Sequence, residues 1–229
     1  MLARGQRPCH KPGSFPFIAV VVQMDDTLIP VFDIGNVFVD WNPMYLFRKL
    51  FETEEEALWF HSNICTGEWN LEFDAGELYA EGVAKLISRF PRYWREIQAY
   101  DLRWKETFSG VIQGTIDIHD ELVAAEIPTF AITNFSWEKW VTCLDDWAFL
   151  EKFDGVVVSG LERLIKPDAR IYRVLCERYG MSPESCVFID DSEPNVIAAR
   201  KFGMKAIHFK TPEALRTELI GFGLPLQEK

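Results

Sequence analysis

The sequence predicts an α/β protein, in which a parallel β-sheet is covered by helices on both faces and a helical cap is inserted after the first strand. Short apolar runs rich in β-branched residues are typical of strands that are buried on both faces. Five such runs occur, at residues 29–35, 127–134, 153–160, 186–191 and 205–209. Helical patterns separate the later runs, and strands that alternate with helices indicate a parallel sheet.

The helical patterns of the predicted core lie beside these strands. They cover residues 118–126, 136–147, 167–180 and 193–203. The limits of one helix can be read directly, because Pro167 suits the first helical position and Gly180 follows the last. Asp168 then falls in the first turn, and Lys166 is left in the loop that enters the helix.

The segment from 44 to 112 shows no strand pattern and is predicted to form the cap. Helical patterns cover residues 44–51, 54–64, 76–90 and 93–108. We therefore divide the chain into a core made of residues 25–43 and 113–229 and a cap made of residues 44–112. The alternative, that this segment is an ordinary part of one larger core, stays open.

Residues 1–24 differ from the rest of the chain. Basic residues precede the apolar run FPFIAVVV, as in an export signal, but the run is too short to span a bilayer and lacks the small residues of a cleavage site. We expect an N-terminal extension that is disordered or not native, with Met24 as an alternative start to Met1.

Charge and cysteine usage limit the partners and the compartment. A net charge of −11 and a pI near 4.9 disfavour nucleic acid and anionic membranes as partners. The five cysteines form no CxxC pair, which favours a reducing compartment over a disulfide framework. We expect a cytoplasmic monomer or homodimer that acts on a small substrate.

Polar residues stand where the predicted strands end. Asp33 follows the first strand, Thr133 and Asn134 the second, and Asp190 and Asp191 the fourth. Ligands of open parallel sheets bind outside the carboxyl ends of the strands. A lone aspartate there is usually a cap or turn residue, but three would repel one another unless a cation joined them, so the pattern favours a metal site.

Lys166 is a candidate positive group for this edge. Its loop position would let the ammonium reach back to the strand ends, although a loop lysine without such neighbours is usually solvated.

Four segments together resemble the ordered motifs of the haloacid dehalogenase (HAD) superfamily. They are FDIGNVFVD, AITNF, IKPDARIY and CVFIDDSEPNVIAARKFGM, and they span roughly residues 28 to 210. The chain most resembles the branch with a helical cap after the first motif, which includes sugar-phosphate phosphatases such as glucose-1-phosphate phosphatase and the 2-haloacid dehalogenases. The resemblance implies a Rossmann-like core.

The resemblance also implies a chemistry for the strand ends. Asp33 would be the nucleophile that forms an aspartyl-phosphate, and Lys166 would neutralise charge on the transferring group. Thr133 and Asn134 would bind phosphate oxygens through hydroxyl and backbone N–H groups. Mg²⁺ would be held by Asp33, the Gly35 carbonyl and Asp191, with Asp190 as a ligand or as a residue that orients bound water.

One position departs from the family pattern. Most phosphatases of this superfamily carry a second aspartate two residues after the nucleophile, as general acid and base, whereas this chain has Gly35 followed by Asn36. General acid–base catalysis typically contributes about 10²–10⁴-fold. Its absence predicts a slow enzyme, another group in this role, or a substrate whose leaving group needs less protonation.

The cap segment 66–78 is predicted to lie over the site. Trp69, Asn70 and Asp74 are candidates to contact the substrate, although Trp69 could equally belong to the core of the cap. The acidic Glu68 and Asp74 favour hydroxyl-rich groups such as a sugar over an anionic group.

Three functions remain open at this point. The first is a Mg²⁺-dependent phosphatase of a small metabolite. The second is a metal-independent 2-haloacid dehalogenase with the same nucleophile, which the paired aspartates of FIDDSEPN disfavour. The third is a weakly active phosphoacceptor or binding protein, suggested by Gly35.

Overall fold

A five-stranded parallel sheet with helices on both faces forms the core of the chain in the computed structural model, which describes residues 28–228. The strands are β1 (Ile29–Phe32), β2 (Val39–Trp41), β3 (Phe108–Val111), β4 (Phe130–Thr133), β5 (Gly155–Val158), β6 (Cys186–Asp190) and β7 (Lys205–His208). The helices before β4 are α1 (Met44–Phe47), α2 (Glu54–Asn63), α3 (Gly67–Asp74), α4 (Tyr79–Arg89), α5 (Trp94–Leu102) and α6 (Gln113–Ala124). The later helices are α7 (Trp137–Cys143), α8 (Ser159–Glu162), α9 (Ala169–Tyr179), α10 (Glu193–Phe202) and α11 (Pro212–Gly221).

The strand order β5-β4-β1-β6-β7 places β1 at the centre of the sheet. Val31 of β1 pairs with Phe130 on one side and with Phe188 on the other. All four residues of β1 are buried, as expected for a central parallel strand with helices above and below. The predicted α/β class and all five predicted core strands are confirmed.

Two apolar clusters lie on opposite faces of this sheet because successive strand residues point to opposite sides. Phe32 joins the cluster that includes residues of α6 and α11, and Val31 joins the cluster that includes residues of α9 and α10. The sheet is thus covered on both faces. Among residues 28–228, every helix is too short or too polar to cross a bilayer.

The inserted segment is helical, as predicted, and its interior is aromatic. The Phe73 and Tyr79 rings stack with centroids 4.0 Å apart, and Phe47 contacts both Phe60 and Tyr100. Helix α3 begins after Thr66, whose hydroxyl accepts a hydrogen bond from the Trp69 amide. Neither α3 nor α11 was among the predicted helical patterns.

The prediction of a cap without strands is wrong at residues 108–111. These residues form β3, which pairs antiparallel with β2 and connects the cap to the core. The strand is short and three of its four residues are exposed, so it has no apolar alternation to detect. It forms because β2 lies beside it. The domain limits at 43 and 113 stay predictions, and the extension 1–24 lies outside the described residues.

The helix expected to begin at Pro167 begins two residues later, as α9. Asp168 is its N-cap, and the Asp168 side chain accepts a hydrogen bond from the Arg170 amide. Gly180 ends the helix in the left-handed conformation, with φ of 66°, which glycine adopts at low cost.

Candidate active site

Three carboxylates from two neighbouring strands meet at the carboxyl edge of the sheet. Asp33 follows β1, Asp190 ends β6, and Asp191 comes next. Each offers an oxygen within 4.8 Å of the oxygens of the other two. The backbone N–H of Asp33 donates to the Ile189 carbonyl at 2.8 Å, so the pairing of the two strands continues as far as the nucleophile candidate.

Lys166 reaches into this cluster and is only 2% exposed. Its Nζ lies 2.8 Å from Asp33 Oδ2 and 2.7 Å from Asp190 Oδ2, and it also donates to the Ile132 carbonyl. Burial lowers the pKa of Lys166, but the carboxylates of Asp190 and Asp33 outweigh burial, so the net direction is upward. The lysine is therefore a permanent cation at this edge.

Asn134 fixes the position of Lys166. Its Oδ1 accepts from the Lys166 amide at 2.8 Å, and its Nδ2 donates to the Lys166 carbonyl at 3.1 Å. Because both ends of this side chain bind the lysine backbone, the Asn134 side chain holds the loop. The phosphate contact expected from backbone N–H stays a prediction.

Asp190 is held more tightly than the other two carboxylates. Its Oδ1 accepts from the Ser192 amide at 2.8 Å, and Asn195 Nδ2 donates to both of its oxygens. Together with Lys166, these donors occupy both Asp190 oxygens, and the residue is completely buried. Asp190 therefore fits the orienting role better than that of a direct ligand. Asn195 was not predicted from the sequence, although it lies inside the fourth motif.

The site carries more negative charge than one lysine can neutralise. Burial raises the pKa of Asp33 to about 8, Lys166 opposes this, and the neighbouring Asp190 and Asp191 add to it. Burial and Asp190 also raise the pKa of Asp191, against a hydrogen bond from Asn36. A bound cation would relieve this repulsion.

The donors at this edge fit a hard divalent cation. Asp33, Asp191 and Gly35 all line the adjoining cavity, and they offer carboxylate and carbonyl oxygens, which are the ligands that Mg²⁺ prefers. The donor set thus agrees with the predicted magnesium site.

Two buried hydroxyls stand beside the cluster without a partner. Within residues 28–228, neither Thr133 Oγ1 nor Ser136 Oγ makes a hydrogen bond. Buried polar groups are normally paired. Ser136 lines the adjoining cavity, so its hydroxyl is available to an oxygen-rich ligand, whereas Thr133 lies at the end of β4 behind the cavity lining. Thr133 was predicted. Ser136 was missed, and its only sequence signal is its place directly after the motif AITNF.

A cavity of about 540 Å³ lies between this edge and the cap. Asp33, Lys166 and Asp191 line its core side, and Asn70 and Asp74 line its cap side. Its walls are largely apolar and aromatic. They include Trp41, Leu71, Tyr79, Trp104, Phe108 and Phe135.

The three cap residues predicted to contact the substrate occupy two different places in the structure. Asn70 and Asp74 line the cavity, together with Glu68. Trp69 packs instead against Phe73 and Tyr100, with ring centroids 4.8 Å and 5.3 Å away, and is only 7% exposed. The structure thus places Trp69 in the core of the cap, the alternative that the sequence left open.

The fold and this edge are those of one hydrolase family. Residues 24–203 match the family of haloacid dehalogenase-like hydrolases, and the chain belongs to that family. The resemblance seen in the four motifs is confirmed.

Proteins similar to this chain in sequence or in fold include a phosphatase and a dehalogenase. The sesquiterpene phosphatase astK of Aspergillus oryzae is 25% identical over 193 residues, which are 82% of this chain and 93% of that protein. A HAD family enzyme of Bacteroides thetaiotaomicron, solved with magnesium and inorganic phosphate, shares the fold with a TM-score of 0.64 and 19% identity, over 81% of this chain and 95% of its own. The L-2-haloacid dehalogenase of Xanthobacter autotrophicus, solved with chloropropionic acid covalently bound, has a TM-score of 0.58 and 15% identity. The match covers 87% of this chain and 85% of that protein.

Proposed function

We propose that this hydrolase is a Mg²⁺-dependent phosphatase that acts on a small phosphorylated metabolite through an aspartyl-phosphate on Asp33. The observation that carries the proposal is the meeting of Asp33, Asp191 and Lys166 on one side of the cavity between core and cap. A single lysine balances one of the three carboxylates there. The site therefore calls for a divalent cation, which phosphoryl transfer also uses.

Each residue at the edge has a role in this proposal. Asp33 attacks phosphorus, and Lys166 aims its carboxylate and neutralises charge on the phosphoryl oxygens. Ser136 offers its unpaired hydroxyl to those oxygens, and Thr133 stays a predicted phosphate contact. Asn134 and Asp190 act indirectly, because both hold Lys166 in place.

Asp33, Asp191 and the Gly35 carbonyl would hold Mg²⁺. When bound, the ion supplies positive charge that reduces the repulsion between the Asp33 carboxylate and the phosphate dianion.

The cavity walls favour a substrate with an apolar organic part. Trp41, Leu71 and Phe108 present apolar surface, which binds hydrocarbon by removing it from water. The name of the Aspergillus relative, a sesquiterpene phosphatase, agrees with such a substrate. We therefore favour the phosphate monoester of an apolar alcohol over the hydroxyl-rich sugar phosphate that Glu68 and Asp74 suggested from sequence.

A 2-haloacid dehalogenase is the second candidate, since its fold also matches. In that reaction Asp33 would attack carbon and expel halide. The surplus of carboxylates at the edge disfavours it, because an additional cation has no place in that chemistry. A weakly active phosphoacceptor is the third candidate and rests on Gly35 alone. The cytoplasmic location, the monomeric or homodimeric state and the lack of a nucleic-acid partner remain predictions.

The test measures phosphate release from para-nitrophenyl phosphate and from alkyl phosphates, with Mg²⁺ and with EDTA. We expect turnover that EDTA abolishes and that Asp33→Asn lowers by about 10⁴-fold or more, while the exposed control Asp145→Asn leaves it unchanged. Halide release from 2-chloropropionate without metal would favour the dehalogenase instead. Phosphorylation at Asp33 without turnover would favour the phosphoacceptor.

A further inference from the structure

Phosphoryl transfer from an alkyl ester needs a proton donor, because an alkoxide is a poor leaving group. Gly35, two residues after the nucleophile, has no side chain to give one. A Cβ built on Gly35 would have no heavy atom within 4 Å, so the space beside Asp33 is open. The proton must come from a group elsewhere in the cavity wall.

Asp74 lies in the cap wall of the same cavity as Asp33 and Lys166. It is the last residue of α3 and is only 8% exposed, and it is one of the residues that line the cavity. Its backbone is also held, since the Ser159 hydroxyl after β5 donates to the Asp74 carbonyl at 2.6 Å. A contact from the core thus fixes the place of this acid above the strand edge.

A chain of neutral hydrogen bonds orients the Asp74 carboxyl. The Tyr100 hydroxyl donates to Asn70 Oδ1 at 2.6 Å, which turns Asn70 Nδ2 towards Asp74 Oδ2 at 3.1 Å. Within residues 28–228, no lysine or arginine forms an ion pair with Asp74, and Lys166 pairs with Asp33 and Asp190 instead. One oxygen of Asp74 is therefore fixed by a neutral donor, and no ion pair among the described residues stabilises its ionised form.

The surroundings of Asp74 favour its protonated form near neutral pH. Burial raises its pKa to about 7, while the Ser136 amide and the Lys166 ammonium lower it. Tyr79 of α4 and Tyr100 of α5 are titratable groups close to Asp74, and Glu68 of its own helix lines the same cavity. Burial raises both phenol pKa values, so both stay neutral. A carboxylic acid that titrates near the working pH is well matched to proton transfer.

We propose that Asp74 is the general acid and base of this enzyme, a catalytic residue supplied by the cap in place of one beside the nucleophile. The inference rests on the proposed phosphatase function.

The two half-reactions then balance. An oxygen of the Asp33 carboxylate bonds to phosphorus while the bond from phosphorus to the substrate oxygen breaks. The electron pair stays on the leaving oxygen, which takes the proton of Asp74 and departs as the alcohol. Water next attacks phosphorus, gives one proton to the Asp74 carboxylate, and displaces Asp33. Inorganic phosphate leaves, and both aspartates return to their starting forms.

The test compares two leaving groups in Asp74→Asn. The step that cleaves the ester determines kcat/KM, and para-nitrophenolate departs without a proton whereas an alkoxide needs one. We expect kcat/KM to fall by about 10²–10⁴-fold for a primary alkyl phosphate and by less than about tenfold for para-nitrophenyl phosphate. The matched control is Glu72→Gln, an exposed acid on the same helix, which should change neither value.

Two further measurements distinguish proton transfer by Asp74 from a purely structural role of Asp74 in the cap. Wild-type kcat/KM for the alkyl phosphate should fall as the pH rises through about 7, where Asp74 loses its proton, and Asp74→Asn should lack this decline. Adding Gly35→Asp to Asp74→Asn should recover at least tenfold of the lost alkyl phosphatase activity, because the open space at Gly35 admits a carboxyl group.

The outcomes distinguish this inference from the function on which it rests. An equal loss on both substrates, with the decline above pH 7 retained, would overturn the role of Asp74 and leave the phosphatase intact. A wild-type protein that hydrolyses neither substrate would overturn the proposed function and this inference with it.

Discussion

The strand edge of the core and the facing side of the cap hold their acids in opposite ways. At the edge, Asp33 and Asp190 share ionic hydrogen bonds with one buried lysine, and Asp191 lies beside them. In the cap, the Asp74 carboxyl accepts a hydrogen bond from the neutral Asn70 amide, and the Lys166 ammonium opposes only part of its pKa rise. Burial raises both pKa values, that of Asp33 to about 8 and that of Asp74 to about 7. Only Asp33 has further oxygen ligands beside it, so a bound cation would favour the ionised nucleophile and leave Asp74 able to hold a proton. The comparison suggests that the core supplies the carboxylates that attack phosphorus and would bind the cation, whereas the cap supplies the acid that donates a proton.

Of the changes predicted here, removal of Lys166 should have the largest effect on stability and on activity. In Lys166→Met, Asp33 and Asp190 stay buried without a cation, which typically costs about 3–5 kcal/mol. We expect a loss of that size in the free energy of unfolding at pH 8 in EDTA, with phosphatase activity reduced by more than about 10³-fold. Denaturant titrations and phosphate release measure the two effects.

The stability of Lys166→Met should change with pH in a direction that can be measured. Without Lys166 the buried carboxylates bind protons more readily in the folded state, so part of the stability should return as the pH falls from 8 to 5. The control Lys105→Met removes a lysine from an exposed ion pair with Asp146 and should show no measurable change. A loss in Lys166→Met that is independent of pH would contradict the ionic account of the edge.

Replacing the cap acid should have the opposite effect on stability. The pKa of Asp74 is higher in the folded protein, about 7, than in the unfolded chain, near 3.8. Ionisation therefore disfavours folding, and wild-type stability declines as the pH rises from about 4 to about 7 through this group. Asp74→Asn cannot ionise, so we expect it to be more stable than wild type by about 2–4 kcal/mol at pH 8 and nearly equal at pH 4.

Paired unfolding titrations of wild type and Asp74→Asn at the two pH values measure this difference. If wild type and Asp74→Asn were equally stable at pH 4 and also at pH 8, burial would not raise the pKa of Asp74.

The apolar walls should have the smallest effect, and only for some substrates. Leu71 lines the cavity from α3. Leu71→Ala should lower kcat/KM for a long-chain alkyl phosphate about tenfold, by removing apolar contact, and should leave a short-chain phosphate unaffected. Leu58→Ala is the matched control, since Leu58 is an exposed leucine of α2 outside the cavity. Equal effects of Leu71→Ala on both chain lengths would exclude an apolar substrate channel.

The sequence was sufficient for the fold and for the strand edge because their signals are local. Central strands are apolar on both faces, and carboxyl ends of parallel strands meet at one edge, so Asp33 and Asp190 could be placed together before any coordinates. Strand β3 could not be predicted, because its stability comes from pairing with β2, about seventy residues earlier in the chain.

The cap side of the cavity depends on contacts between distant residues. Tyr100 orients Asn70 across thirty residues, and the Ser159 hydroxyl reaches the Asp74 carbonyl across eighty-five. Asp74 was predicted from the sequence as a substrate contact. The rise of its carboxyl pKa follows from burial, which only the folded structure reveals. The same limit explains why Trp69 could not be assigned to the cap core in advance.

The central claim is that Asp33 carries the phosphoryl group during turnover. Rapid acid quenching of the wild-type protein with Mg²⁺ and an alkyl phosphate, followed by peptide mass spectrometry, tests it directly. We predict one phosphoryl group on the peptide that contains Asp33, and none on that peptide in Asp33→Asn. Steady phosphate release with no phosphorylated Asp33 peptide at any quench time would contradict the account.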